Sequence, residues 1–168
     1  MQPNIFRSSM HNGLILGVLL SLKFLFSTPN NSVLSFVALL ISILIVFALY
    51  KLAIRFRENE CGGIIKYGQA FKYIFQVYFF GTIIASLVIL IYTRFFNPGY
   101  LEFTLNSLLK MYDNFKFPID DTTHKLMETL YKPAPYALLN IFSSMFVGAF
   151  WGLILASFVK KEKSIFEK

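Results

Sequence analysis

FLFSTPNNSVLSFVALLISILIVFALY, residues 24–50, carries no charged side chain over its whole length. It is broken once, at Ser27-Thr28-Pro29-Asn30-Asn31, and then runs uncharged through Tyr50, the span being expected to continue past Lys51 to Ile54. A bilayer core of about 30 Å is crossed by roughly 20 apolar residues in a helix. Backbone in lipid must also satisfy its own hydrogen bonds, which makes helix the default for such a run. The stretch predicts a membrane span at 33–54, preceded by a tight break. Outward from it, three more runs qualify, giving spans at about 12–27, 70–95 and 135–159.

Span one contains Lys23 near its far end, where the ammonium can reach the headgroups along its own methylene stem. Arg7 followed by an apolar run also fits a secretory signal. Leu25-Phe26-Ser27 lacks the small residue that a cleavage site needs, and no large soluble domain follows, so the reading is a retained span.

Composition agrees. Of 168 residues, 56% are apolar, 18% aromatic and 15% charged, with a mean hydropathy of +0.59. A soluble domain carries about 25% charged residues. These figures exclude soluble globular, disordered and collagenous chains. The sole cysteine, Cys61, excludes an intrachain disulfide and any multi-cysteine metal site. The expected fold class is all-α: a single polytopic membrane domain over 1–168, with four transmembrane helices and the lipid bilayer as its first partner.

Orientation follows from basic residues near the span ends. With the N-terminus cytoplasmic, the inside segments hold ten Lys and Arg against four acids, among them Arg7, Arg55, Arg57, Lys66, Lys163 and Lys168. The outside segments hold six against five, spread over a longer stretch. The expectation is a bacterial inner-membrane protein with both termini cytoplasmic. Topology and anionic headgroups then account for most of the formal net charge of +7, which leaves no call for nucleic acid.

Between spans one and two the loop is short and predicts an antiparallel hairpin. The inner loop holds the paired glycines Gly62 and Gly63, suited to a tight turn, and Gly68 opens span three. Gly63 and Gly68 have the spacing of a phosphate loop, but Gln69-Ala70 stands where Lys-Ser/Thr is required, so that reading is rejected. The outer segment, about 97–133, predicts two short amphipathic helices. Asn97-Pro98 starts the first, with Leu101, Leu105, Leu108, Tyr112 and Phe115 on one face, and Pro118 ends it. Asp120 or Asp121 caps the second, and Pro133 and Pro135 close it. These helices are expected to cover the mouth of their own bundle, with a partner-binding surface as the alternative.

Helices in lipid associate where small residues let backbones approach. Span one has Gly13, Gly17 and Ser21; span three has Gly81 and Ala85; span four has Ser144, Gly148, Gly152 and Ala156. The length of that last ladder makes span four the expected central helix. Packing within the chain is the plain reading of these stripes, and a homodimer or another membrane-protein partner the alternative.

Chemistry is sparse. Two histidines exist, the interfacial His11 and His124, the latter in Asp120-Asp121-x-x-His124. That trio suits a metal only if further ligands come from elsewhere, and capping explains the aspartates without one. Gln76 and Asn140 are the deepest strongly polar residues and are expected to bond between helices. Basic neighbours of Cys61 would lower its pKa and activate it, although a plain loop cysteine is the simpler reading.

The inner loop and third span carry a resemblance: Phe56-Arg57-Glu58, Gly62-Gly63-Ile64 and Tyr67-Gly68-Gln69-Ala70-Phe71-Lys72, continuing through Gly81, Ala85 and Tyr92 to Asn97-Pro98-Gly99-Tyr100-Leu101-Glu102. This pattern resembles the domain-of-unknown-function family 4199, small bacterial membrane proteins common in Bacteroidetes. The resemblance implies four spans with both termini inside, and it brings no catalytic residue and no cofactor. Gly68, Gln69, Ala70 and Phe71 form the motif singled out for a functional test. The expected role is noncatalytic, structural or accessory to a partner. The alternatives are a subunit of a small transporter or channel using Gln76 and Asn140, and a membrane-surface enzyme using Asp120, Asp121 and His124.

Overall fold

The computed structural model describes residues 4–29 and 31–161. Asn30 of the predicted break, and Lys163 and Lys168 of the inside charge count, lie outside them. The described residues form six α-helices and no strand: α1 (Ile5–Ser27), α2 (Ser32–Glu60), α3 (Tyr67–Ile91), α4 (Tyr100–Asn114), α5 (Asp121–Leu130) and α6 (Pro133–Val159). Helices α1, α2, α3 and α6 are long and apolar enough to cross a membrane, α3 continuing to Phe96.

Local sequence explains the ends. Asn4 Oδ1 accepts from the Arg7 N–H at 3.1 Å and starts α1 seven residues before the predicted span. Asn31 accepts from the N–H of Val33 and caps α2. Six residues beyond the predicted end of span two, α2 stops at Gly62 and Gly63, whose φ values of +63° and +82° suit residues without a Cβ. Past Ile91 the third helix widens into a π turn, Tyr92–Phe96, in which the Asn97 N–H reaches back to the Tyr92 carbonyl at 2.9 Å.

Several expectations are corrected. Asn97 does not cap α4: Asn97-Pro98-Gly99 is a turn, and the helix starts at Tyr100 behind Gly99. Nor does Pro118 end it, since α4 stops at Asn114 and the chain reverses through Lys116 at φ 55°. Pro133 opens α6 instead of closing α5, because its missing N–H costs nothing in a first turn.

The central helix is α3, not the last span. It lies between α1 and α6, while α2 packs along α1 and touches α3 and α6 more lightly. The reason is two-sided burial. Gly81 faces α1, where a Cβ would stand 3.1 Å from the Gly17 nitrogen. On the other flank, Tyr78 and Phe71 press into the spaces over Gly148 and Gly152 of α6. The small-residue ladder of α6 is thus a one-sided receptor for aromatic rings.

One end of the bundle is latched. Ile65 and Lys161 exchange backbone hydrogen bonds of 2.9 and 3.0 Å, tying the α2–α3 turn to the exit of α6. Arg57 adds a bond to the Val159 carbonyl at 3.0 Å, meeting an orphan acceptor of the last turn. The start of α1 joins this end through Ser8 and Glu60. The α4–α5 segment occupies the opposite end, where Phe24 of α1 meets Tyr92 and Tyr100 edge to face.

Candidate functional site

Polar groups collect at the latched end. Ser8, Ser9 and Asn12 lie on adjacent faces of the first turns of α1, against the last turns of α2 and the start of α3. Ser8 Oγ donates to Glu60 Oε1 at 2.6 Å, Ser9 Oγ donates to Gln76 Oε1 at 3.1 Å, and Asn12 Nδ2 donates to the Tyr73 hydroxyl at 2.8 Å. Tyr73 is fully buried and stacks on Phe56, their ring centres 4.0 Å apart. Every bond in this set joins one helix to another, so it fixes the register of α1, α2 and α3. Polar contacts of this kind between membrane helices contribute about 0.6–2 kcal/mol each.

Outside this network opens a cleft of about 500 Å³ between α1 and α2. Its α1 wall carries Arg7 and His11, four residues apart and hence on one face. Its α2 wall carries Arg55 and Asn59 at the same spacing, with Glu60 beside Ser8. Among the described residues the close contacts between basic and acidic side chains are Arg57–Glu58 and His124–Glu128, and neither includes Arg7 or Arg55. Both arginines and His11 are exposed.

The predicted packing residues are distributed as follows. Gly13 and Gly17 are buried against α3, and Ser21 turns its hydroxyl back to the Gly17 carbonyl at 2.7 Å. Gly81 and Ala85 are buried in α3, and Gly148, Gly152 and Ala156 in α6, while Ser144 is half-buried. Ser144 borders a smaller cavity of about 240 Å³ toward the α4–α5 end, together with Lys23, Thr82 and Asn140. Asn140 Nδ2 donates to Ser86 Oγ at 2.8 Å and bridges α6 to α3.

Gly68-Gln69-Ala70-Phe71 is a helix start. Gln69 Oε1 accepts from the Lys66 N–H at 3.2 Å, as the third residue of a capping box does. Ala70 is fully buried, Phe71 lies over Gly152, and a Cβ on Gly68 would meet open space. Cys61 departs from the activated reading: burial pushes its thiol pKa up, and the Glu60 carboxylate pushes it further. In the α4–α5 segment Asp120 stands at the start of α5 and accepts from the Thr123 hydroxyl, which holds its carboxyl below the usual range. His124 Nδ1 faces Glu128 at 3.5 Å, and its bond to Asp120 is the backbone one of the helix, the His124 N–H donating to the Asp120 carbonyl at 3.0 Å. Among the described residues no three His, Cys, Asp or Glu side chains are grouped so as to hold a metal ion.

The cleft between α1 and α2 was missed in the sequence, and of its network only the interhelical role of Gln76 was expected. The available signal was the polar run Arg7, Ser8, Ser9, His11 and Asn12 at the start of a mainly apolar helix, with Tyr73 inside another. What hid the site was that its two walls lie more than forty residues apart.

Helices of this length and apolarity, held by small-residue contacts and interhelical polar bonds, define an α-helical membrane protein. Residues 11–161 match a family described as protein of unknown function (DUF4199). That match covers most of the chain, which therefore belongs to this family. No curated protein and no solved structure matches it.

Proposed function

We propose that this protein is a noncatalytic four-span protein of the bacterial inner membrane, structural or accessory to a partner, with both termini cytoplasmic. The observation that carries the reading is the use of the deep polar side chains. Gln76 and Asn140 are engaged by Ser9 and Ser86 of neighbouring helices, which makes them assembly groups. Tight packing at Gly13, Gly17 and Gly81 likewise favours a fixed bundle. On this reading the latched end faces the cytosol, since it gathers Arg55, Arg57, Lys66, Lys160 and Lys161. The segment with α4 and α5 then lies outside, over the bundle mouth or against the headgroups.

Proteoliposomes test the role. The full chain should raise the permeability of vesicles to potassium, chloride and protons no more than protein-free vesicles do. A flux that disappears in Gln76→Leu or Asn140→Leu would replace this reading with the transporter one. The cavities near Arg55 and near Asn140, which lie toward opposite ends of the bundle, favour that second reading. The enzyme reading through Asp120, Asp121 and His124 is tested by metal analysis against a triple alanine variant. Equal metal content removes it.

A further inference from the structure

We infer that the cleft between α1 and α2 binds an anionic phosphate ester, on a phospholipid headgroup or on a soluble molecule. Four observations converge on it. Arg7 and Arg55 stand on opposing walls of one concavity and are in none of the ion pairs of the described residues. Guanidinium groups present forked donors that match phosphate oxygens two at a time. His11 and Asn59 add polar groups on the same two walls. At about 500 Å³ the cleft falls in the size range of small-molecule sites.

One carboxylate, Glu60, also borders the space, and its Oε1 is held by the Ser8 hydroxyl on the α1 side. With both arginines charged, the cleft keeps a net positive balance. Arg57, by contrast, is spent on Glu58 and the Val159 carbonyl, so the two cleft arginines are not simply spare members of a basic rim.

A lipid source also accounts for the apolar boundary. Ile15 lines the cleft one turn beyond His11 and is 48% exposed, and Leu14 and Val18 continue an exposed apolar path along α1. A headgroup seated between the arginines would leave its acyl chains along that path. Such a site would serve an accessory protein and a transporter subunit alike.

Native mass spectrometry of the detergent-purified full chain tests the assignment, titrated with phosphatidylglycerol or phosphatidylcholine and then challenged with glycerol 1-phosphate. The expected result is saturable binding of phosphatidylglycerol in preference to phosphatidylcholine. Affinity should fall about tenfold or more in Arg7→Gln/Arg55→Gln, as loss of charge-assisted bonds implies. Lys66→Gln/Lys72→Gln removes the same charge at the same end outside the cleft and should stay within about twofold of the parent. Displacement of the lipid by glycerol 1-phosphate identifies a soluble ester as the source, and resistance to it identifies the lipid. Equal losses in both variants, no loss in the arginine pair, or no binding of either ester would overturn the assignment. Circular dichroism of the variants confirms that they are folded; the substituted side chains are exposed.

Discussion

Gly17 and Gly81 meet across the contact of α1 and α3, where a Cβ on Gly17 would lie 2.8 Å from Ile84 Cβ and 3.1 Å from the Gly81 carbonyl. Neither obstacle is the loose tip of a side chain, so the helices themselves must part. Gly17→Ala should destabilise the bundle by about 1–3 kcal/mol, read from unfolding in mixed micelles. Gly68→Ala meets nothing within 4 Å in a helical first turn and should be neutral or stabilising by up to about 1 kcal/mol. A reversed order would refute the packing described for α1. A second test concerns Cys61. Its raised pKa means less thiolate near neutrality, so maleimide labelling should be slower than for an ordinary exposed cysteine and should accelerate as pH rises. Glu60→Gln removes one of the two causes and should speed labelling about two- to threefold, the size of a single exposed charge effect. Slower labelling in that variant would contradict the stated cause.

The elements at the α4–α5 end depend on backbone geometry that pattern reading does not reach. Helix α4 buries Leu101 and Leu105, two of its five predicted apolar-face residues, and leaves Phe115 exposed past a last turn that ends at Asn114. Termination there rests on Lys116 in the left-handed region, a conformation in which a Cβ crowds the carbonyl oxygen. Lys116→Gly should slow amide hydrogen exchange in the last turn of α4, a gain of up to about 1 kcal/mol offset in part by glycine entropy. Lys116→Val should accelerate it. If both variants exchanged alike, the strain would lie elsewhere. The resemblance also drew attention to the Gln69 position, and the hydrogen bond to Lys66 explains it as a cap.

Across the whole molecule, charge balance supports the proposed orientation. The latch between Ile65 and Lys161, with the Ser8–Glu60 bond, brings the start of α1, the α2–α3 turn and the exit of α6 to one end. Four crossings require this. A fluorescent protein fused after Lys168 should therefore light up, and alkaline phosphatase at the same position should stay silent; the opposite pair of results would invert the orientation. The four apolar helices were legible in residues 24–50 and their counterparts because lipid solubility is a property of composition, summed along a run of about twenty residues. The small-residue stripes were legible for the same reason, as periodicity on a single helix. Which helix sits at the centre was not legible. The ladder of α6 is longer than that of α3, yet centrality depends on whether two opposite faces find partners, and Tyr78 and Phe71 supply the second face. The arginine-lined cleft was hidden even with the hairpin of spans one and two expected, since Arg7 and Arg55 fell outside the predicted spans and line one space only because α1 and α2 extend past them as helix. Composition settled that the chain lives in lipid; only the packing of α1 against α2 beyond their apolar runs decided where Arg7 and Arg55 meet.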